Sequence, residues 1–313
     1  MNKIINYNSN LRYEEFRKEL VNGIADICGE EFTVREEHVH KNNAKELFGV
    51  SIRNKNTNVA PTIYLEGFYE DFINGEKNLN EIENDIIRIY KLNCLNGNRI
   101  NVDFFKDFSI VKEKLVYRLV NYDMNRERLK EIPHRRYLDL AIIYVLNLNE
   151  CGGSITIRNE HLDIWNVDEE TVYQYAEKNT PKAFKLKISR FSDMMLDILK
   201  DKEDVEPEDL DTLLDNHMLP MFIMTNEQCM FGASSLLYKD SLKEFAEKIG
   251  SGFYLLPSSV HETILLPEDE KLNSENLEEM VRSVNETVVD KEVFLSDNVY
   301  YYSPENNKLE IAG

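Results

Sequence analysis

The chain has 313 residues, with 57 acidic and 37 basic side chains, a net charge of −20 and a hydrophobic fraction of 42%. This length accommodates one large or two medium domains of ordinary globular composition. So acidic a surface repels phosphate backbones and anionic membranes, which argues against direct nucleic-acid or membrane binding. No apolar run reaches the roughly 20 residues that span a bilayer, and no targeting segment is evident.

The four cysteines, Cys28, Cys94, Cys151 and Cys229, have no C-x-x-C spacing. We therefore expect free, mostly buried thiols, which is typical of a reducing compartment. Together with the absence of a leader or an anchor, this predicts a soluble cytoplasmic protein.

The N-terminal half combines helical patterns with a hairpin. Apolar residues at helical spacing predict a helix over 13–28, with Gly29 just beyond its end. The stretches "EFTVREEHVH" and "LFGVSIRN" alternate as strands do, with "VAPTIYL" following after turn residues. Further helices are predicted at 79–92, 110–120 and 125–131, the last of which ends before Pro133.

The C-terminal half repeats a strand-strand-helix pattern three times. The three strand pairs are "YLDLAIIYVLNLN" with "GSITIRN", "PMFIMTN" with "FGASSLLY", and "GFYLLPSS" with "HETILLP". Helices are predicted to begin at Asp168, at Ser241 with Glu244 in a capping box, and at Ser274. A final hairpin is predicted in "NVYYYSPENNKLEIA".

Together these patterns predict an α+β protein with a helix-rich N-terminal half. Its C-terminal half would form a mostly antiparallel sheet with helices on one face. We expect lobes at 1–132 and 133–313, with an acidic linker or insertion at 185–219; the lobes can equally form one continuous unit.

"VHETILLP" contains the first half of the zinc-protease signature H-E-x-x-H. The fifth position is Leu265, so the second histidine ligand is missing. The stretch also alternates as a strand does, and on a strand His261 and Glu262 would point to opposite faces. A metalloprotease is therefore disfavoured. Ser259 and His261 would share a face, but "PSSVH" lacks the strained elbow on which a serine nucleophile normally sits.

Other candidate residues form two groups. His134, Arg135 and Arg136 are the densest basic spot and are candidates for binding an anion, since arginine binds carboxylate and phosphate bidentately; the alternative is an arginine paired with an acid or stacked on tyrosine. "RNEHLDIW" offers Glu160 and His161 as an acid–base pair, or simply a loop held by Trp165. His38 and His40 share a strand face but have no further ligand nearby, so no metal site is predicted.

Phosphate-binding loops are absent, because the chain contains neither G-x-x-x-x-G-K-[ST] nor G-x-G-x-x-G. Kinase, Walker-type NTPase and Rossmann dehydrogenase activities are therefore disfavoured. No cofactor is predicted.

The blocks "APTIYL", "PHRRYLDLAI", "RNEHLDIW", "FGASSLLY" and "LPSSVHETILLP", in that order, resemble a family of uncharacterised bacterial cytosolic proteins known only as a domain of unknown function. The resemblance covers roughly residues 11–303. It implies that the chain is one evolutionary unit, and it transfers no catalytic residue.

The sequence thus favours a cytoplasmic protein that binds a protein partner or a small molecule rather than an enzyme. Two alternatives stay open. One is a hydrolase or transferase with His261 or His161 as base and Arg135 and Arg136 as an anion clamp, where the ends of "PHRR", "RNEH" and "SSVH" would converge. The other is an acidic inhibitor that mimics nucleic acid and is encoded on mobile elements.

Overall fold

A computed structural model describes residues 11–54, 62–95, 102–148, 153–200, 220–257, 259–270 and 272–312. It divides into two compact units, Met1–Val102 and Asp103–Gly313. The acidic stretch 201–219 and the predicted turn at Cys151 and Gly152 lie outside the described residues. None of the described helices is long and apolar enough to cross a membrane.

The described part of the first unit packs three α-helices with a small antiparallel sheet. Its elements are α1 (Tyr13–Cys28), β1 (Phe32–His40), β2 (Glu46–Asn54), β3 (Thr62–Tyr64), α2 (Glu66–Ile73) and α3 (Leu79–Leu95). The strand order is β1-β2-β3. The predicted helix 13–28 is confirmed, and its side chains Phe16, Leu20 and Ile24 are fully buried. Ile27, which follows at the same helical spacing, is 53% exposed.

The second unit contains two antiparallel sheets and seven described helices. The helices are α4 (Phe108–Val111), α5 (Arg126–Leu129), α6 (Asn159–Trp165), α7 (Glu169–Ala183), α8 (Phe191–Lys200), α9 (Ser241–Ile249) and α10 (Ser274–Val288). The strands are β4 (Leu115–Asn121), β5 (His134–Tyr137), β6 (Leu140–Leu148), β7 (Gly153–Thr156), β8 (Leu186–Arg190), β9 (Phe222–Asn226), β10 (Phe253–Leu256), β11 (Thr263–Pro267), β12 (Tyr300–Ser303) and β13 (Lys308–Ile311).

A six-stranded sheet has the order β13-β12-β10-β11-β9-β8, and a four-stranded sheet has the order β4-β6-β5 with β7 also paired to β6. The predicted pairing of "YLDLAIIYVLNLN" with "GSITIRN" and the predicted C-terminal hairpin are confirmed. The α+β class with antiparallel sheets is confirmed as well.

The core of the second unit draws side chains from both sheets. Tyr117 and Tyr144 of the four-stranded sheet and Phe253, Leu255 and Tyr300 of the six-stranded sheet belong to one buried cluster. Burial of an aromatic or aliphatic side chain of this size stabilises by about 1.5–3 kcal/mol. A smaller cluster on the opposite face of the four-stranded sheet is described with the functional site below.

The predicted helix 110–120 is wrong. Only Phe108–Val111 is α-helical, and Leu115–Asn121 forms strand β4. Leu115 and Leu119 are spaced like helix neighbours, which explains the error. The strand is buried on both faces, so the alternation of polar and apolar residues that identifies a half-exposed strand is missing.

Three shorter predictions also fail. "FGASSLLY" forms a 3-10 segment, Gly232–Leu237, rather than a strand. "RNEHLDIW" contains helix α6 rather than an irregular loop. Strand β11 begins at Thr263, so His261 lies in the connection that precedes this strand. His261 therefore does not share a strand face with Ser259 and Thr263.

The compact units divide at 102/103, about thirty residues before the sequence-based boundary. The physical reason is that β4 pairs with β6 along its whole length, which joins 115–121 to the sheet that follows Pro133. The lobes 1–132 and 133–313 stay a prediction. The predicted linker 185–219 begins with a strand of the six-stranded sheet, β8, which pairs with β9.

Candidate functional site

The basic spot "PHRR" lies on strand β5, where its arginines are engaged. Arg135 Nε lies 2.9 Å from Glu169 Oε1, and a second nitrogen pairs with Glu170. These carboxylates raise the pKa of Arg135. The guanidinium also lies 3.9 Å from the ring centre of Tyr173, and that of Arg136 lies 4.5 Å from the ring centre of Tyr122. Arg135 thus pairs with acids and stacks on tyrosine, and Arg136 stacks on tyrosine, as in the alternative arrangement. Their use as an anion site stays a prediction.

His161 secures the start of helix α6. Its Nδ1 accepts a hydrogen bond from the backbone N–H of Arg158 at 3.0 Å. The ring packs edge-on against Phe105, with the centres 4.7 Å apart, and lies beside Trp165. Burial lowers the pKa of His161. Glu160 Oε1 is 3.9 Å from the other ring nitrogen.

His261 holds together the connection between β10 and β11. Its N–H donates to Ser259 Oγ at 3.1 Å, and its carbonyl oxygen accepts from Thr225 Oγ1 at 2.8 Å. Its Nδ1 accepts from the N–H of Phe231 at 3.2 Å. Because Nδ1 is an acceptor, the neutral ring carries its proton on Nε2 and offers a donor there.

His134 has a different setting again. Its Nδ1 lies 3.0 Å from the carbonyl oxygen of Ile132, and its ring centre lies 6.1 Å from that of Tyr122. The three histidines therefore have separate neighbours. Convergence of His134, His161 and His261 into one catalytic site stays a prediction.

Two arginines of the second unit that were not singled out in the sequence, Arg118 and Arg128, lie close enough for the charge of one to act on the other. Arg118 lies on β4, directly opposite Ile143 of β6, which in turn faces His134 of β5. Paired residues of antiparallel strands point to the same face, so Arg118 lies on the face that carries Ile143. Helix α5 packs there through Leu129, which joins Ile143 in a small buried cluster.

Arg128 extends from α5 across this face. Its Nη2 donates to Thr156 Oγ1 at 3.2 Å. Thr156 lies opposite Val145, two residues beyond Ile143, and so belongs to the same face. We call Arg118, Arg128, Thr156, Phe231 and His261 the arginine site.

Phe231 covers Arg118, whose guanidinium carbon lies 3.6 Å from the centre of the ring. A hydrogen bond close to this contact fixes the 3-10 segment Gly232–Leu237 to β4, since the N–H of Leu119 donates to Ser234 Oγ at 3.2 Å. The backbone of Phe231 is left-handed, with φ 54°, as is that of Cys229, with φ 53°. Such conformations cost free energy in residues other than glycine, and they cluster at functional sites.

The side chain of Asn226 organises the same loop. Its Oδ1 accepts from the N–H groups of Gln228, at 3.0 Å, and Met230, at 3.4 Å. Its Nδ2 donates to the carbonyl oxygen of Met230 at 2.8 Å. These bonds make the loop rigid and fix the position of the Phe231 ring.

Neither arginine of the site has an acidic partner among the residues that the structure describes. Burial lowers the pKa of Arg118 to about 10, and the nearby charge of Arg128 adds to the effect. Burial lowers the pKa of Arg128 too, helped by the charge of Arg158. Arg118 and Arg128 are partly buried as whole residues. The site therefore combines two guanidinium groups, in a chain whose net charge is −20.

A sequence signal for this site does exist. "LVYRLVN" places one arginine in the middle of a buried apolar strand, and a charged side chain in such a position is seldom found without a partner or a role. Assigning the segment to an amphipathic helix hid the signal, because a helix would have placed Arg118 on its solvent side.

The first unit contains the only group of three close potential metal ligands within the described part of the chain. It consists of His38, His40 and Glu46, all exposed on the β1–β2 hairpin. The sequence had identified the two histidines and had not found the third ligand.

The fold and the site thus define an α+β protein of antiparallel sheets, with Arg118 and Arg128 on one face of its four-stranded sheet. The profile of the family of unknown function DUF5688 matches residues 13–304. The chain belongs to this family, as the five sequence blocks had suggested. No curated protein and no solved structure matches it.

Proposed function

We propose that the protein binds a small anionic molecule at the arginine site, through a phosphate or carboxylate group. The observation that carries the proposal is the presence of two partly buried guanidinium groups, Arg118 and Arg128, with no carboxylate to neutralise them within the described ranges. Burial lowers the pKa of Arg118 and the nearby charge of Arg128 lowers it further, so the charge of Arg118 costs free energy in the free protein. A bound anion would remove that cost.

The chemistry of the lining supports an oxyanion rather than an apolar ligand. Guanidinium groups donate paired hydrogen bonds whose spacing matches the oxygens of phosphate and carboxylate. Thr156 already supports Arg128, and Phe231 limits the positions that Arg118 can adopt. A ligand would therefore meet donors that are already ordered, which lowers the entropy cost of binding.

Arg135 offers a comparison. It has the same guanidinium group, but Glu169 and Glu170 neutralise it and hold it in place. An added anion would have to displace two carboxylates there. Binding is thus proposed at Arg118 and Arg128, and not at "PHRR".

The test is the thermal stability of the protein in inorganic phosphate, compared with chloride at equal ionic strength and pH. A ligand that binds the folded state alone raises stability in proportion to ln(1 + [L]/Kd). We expect phosphate to stabilise the wild type, and Arg118→Met and Arg128→Met to bind phosphate about 10- to 100-fold more weakly. Arg118→Lys should bind phosphate with an affinity between those of the wild type and Arg118→Met. Lysine keeps the positive charge but cannot donate two parallel hydrogen bonds.

The matched control is Arg126→Met on the same helix, since Arg126 is exposed and paired with Asp123. It should respond to phosphate as the wild type does. An equal response of Arg118→Met and the wild type would contradict the proposal. So would the absence of any response of the wild type to phosphate, sulfate and a dicarboxylate.

A further inference from the structure

The β1–β2 hairpin of the first unit presents three metal-binding side chains on one face. His40 lies directly opposite Glu46, and His38 lies opposite Phe48. Alternate residues of a strand share a face, and so do directly paired residues. The two imidazoles and the carboxylate therefore point to the same side. All three residues are exposed, so an ion can reach them.

The separations between the donor atoms suit a tetrahedral ion. His38 Nε2 is 3.3 Å from Glu46 Oε2, and His40 Nδ1 is 3.7 Å from Glu46 Oε1. One donor atom from each of the three residues lies within 4.8 Å of the others. Zinc binds nitrogen and oxygen at about 2.0–2.1 Å, which places two ligands of a tetrahedron about 3.3–3.4 Å apart. Small rotamer adjustments of the exposed side chains bring all three to that distance.

The ring of His38 is held in position from below. It stacks on Phe48 with the ring centres 4.5 Å apart and an angle of 2° between the planes. The N–H of Phe48 is fixed by Glu66 Oε1 at 2.7 Å. The turn is closed by the N–H of Lys41, which donates to the carbonyl oxygen of Lys45 at 2.7 Å. The spacing of the ligands therefore depends on a rigid hairpin rather than on a mobile loop.

We propose that His38, His40 and Glu46 bind a zinc ion. Two imidazoles and one carboxylate favour zinc and its transition-metal neighbours over calcium or magnesium, which prefer oxygen ligands. Three protein ligands leave a fourth position for water or for a group of a bound molecule, as in open zinc sites. This site lies in the first unit and does not depend on the anion-binding function proposed for the second.

The experiment is a titration of the metal-free full-length protein with Zn²⁺ against a chromogenic chelator, followed by Co²⁺ substitution. We expect one equivalent to bind, and the Co²⁺ complex to show the intense visible absorption of tetrahedral coordination. His40→Gln and Glu46→Gln should each weaken Zn²⁺ binding by at least about tenfold and remove that absorption. Because these side chains are exposed, the variants should retain the wild-type circular dichroism.

Two controls match the lost side chains. Glu31→Gln removes an exposed carboxylate just before the same hairpin, and His134→Gln removes a histidine outside it. Both should bind zinc as the wild type does. If His40→Gln and Glu46→Gln also bind as the wild type does, or if the wild type binds no zinc, the three residues form only imidazole–carboxylate contacts and the proposal is wrong. Arg118→Met should keep full zinc affinity, which separates this test from that of the anion site.

Discussion

Gly232 and His261 approach each other so closely that no larger residue fits at position 232. A Cβ atom there would lie 2.5 Å from the carbonyl oxygen of His261, 2.1 Å from Thr225 Oγ1 and 2.9 Å from the backbone nitrogen of Asn226. Two of these three atoms belong to the backbone and cannot move without shifting a strand or a connection. The contact brings the "FGASSLLY" and "LPSSVHE" blocks together and fixes the loop that places Phe231 over Arg118.

Gly232→Ala should lower the free energy of unfolding by about 1–3 kcal/mol, because the added methyl group forces these backbone segments apart. It should also weaken the response to phosphate, since Phe231 is the next residue. Denaturation with urea, with and without phosphate, measures both effects.

The control for this substitution is Gly67→Ala in helix α2, where a Cβ would meet no heavy atom within 4 Å. It should be neutral or stabilise by up to about 1 kcal/mol, since alanine favours helix. Equal stability of Gly232→Ala and the wild type would mean that the loop yields easily and does not fix Phe231.

Arg135→Met should lower the stability of the protein, whereas Arg118→Met should not. Methionine at position 118 removes a charge that has no acidic partner among the described residues, and it keeps an apolar chain against Phe231. We expect the unfolding free energy in chloride to stay equal or to rise by about 1 kcal/mol. Methionine at position 135 leaves Glu169 and Glu170 without their cation and should cost about 1–2 kcal/mol.

Urea denaturation of both variants without phosphate makes the comparison. A loss for Arg118→Met as large as that for Arg135→Met would show that Arg118 stabilises the fold, and the anion site would lose its main argument.

Elements with strong periodicity could be predicted from the sequence, and those buried on both sides could not. Helix α1 and hairpin β12–β13 follow simple patterns, because each has one buried and one exposed side. Strand β4 fails this condition, since Tyr117 faces the main core and Val120 faces a second cluster. Its apolar residues recur at both helical and strand spacing, and only its partner β6 decides between them.

Contacts between candidate functional residues that are far apart in the sequence could not be predicted either. His38 and His40 could be paired from their spacing in sequence, but Glu46 joins them only through the register of the hairpin. Arg118 and Phe231 are 113 positions apart, and their stacking depends on how the 3-10 segment docks on the edge of β4. No local pattern encodes such a contact.

Acidification should destabilise the protein in part through His161. Burial lowers the pKa of this histidine in the folded state, so the unfolded chain binds a proton more readily. The contribution of the neutral ring is complete above the unfolded pKa of about 6.5. This contribution is lost as the pH falls from the unfolded pKa through the lower pKa that His161 has in the folded state.

His161→Gln should flatten this part of the pH profile. Glutamine at the third helical position can still accept the N–H of Arg158, as in a capping box, but it does not titrate. Unfolding free energies measured at intervals between pH 8 and about pH 5 give the comparison. An unchanged slope in the variant would assign the acid sensitivity to other groups.

Asp139 joins the four-stranded sheet to the chain segment that leads into β12, and its replacement should be costly. Its carboxylate accepts hydrogen bonds from Ser296 Oγ at 2.6 Å, from Asn298 Nδ2 at 2.9 Å and from the hydroxyl of Tyr300. Burial and this carboxylate raise the pKa of Tyr300, so the phenol stays a donor.

Asp139→Asn places an NH₂ group among three donors, and at least one of them must lose its acceptor. We expect the free energy of unfolding to fall by about 2–4 kcal/mol, against about 1 kcal/mol for Tyr300→Phe, which removes a single bond. Asp163→Asn, at an exposed position of α6, should change stability by less than about 0.5 kcal/mol. If Asp139→Asn cost no more than Asp163→Asn, the three hydrogen bonds would contribute nothing net. The packing of Tyr300, which is fully buried, would then hold this segment against the sheet by itself.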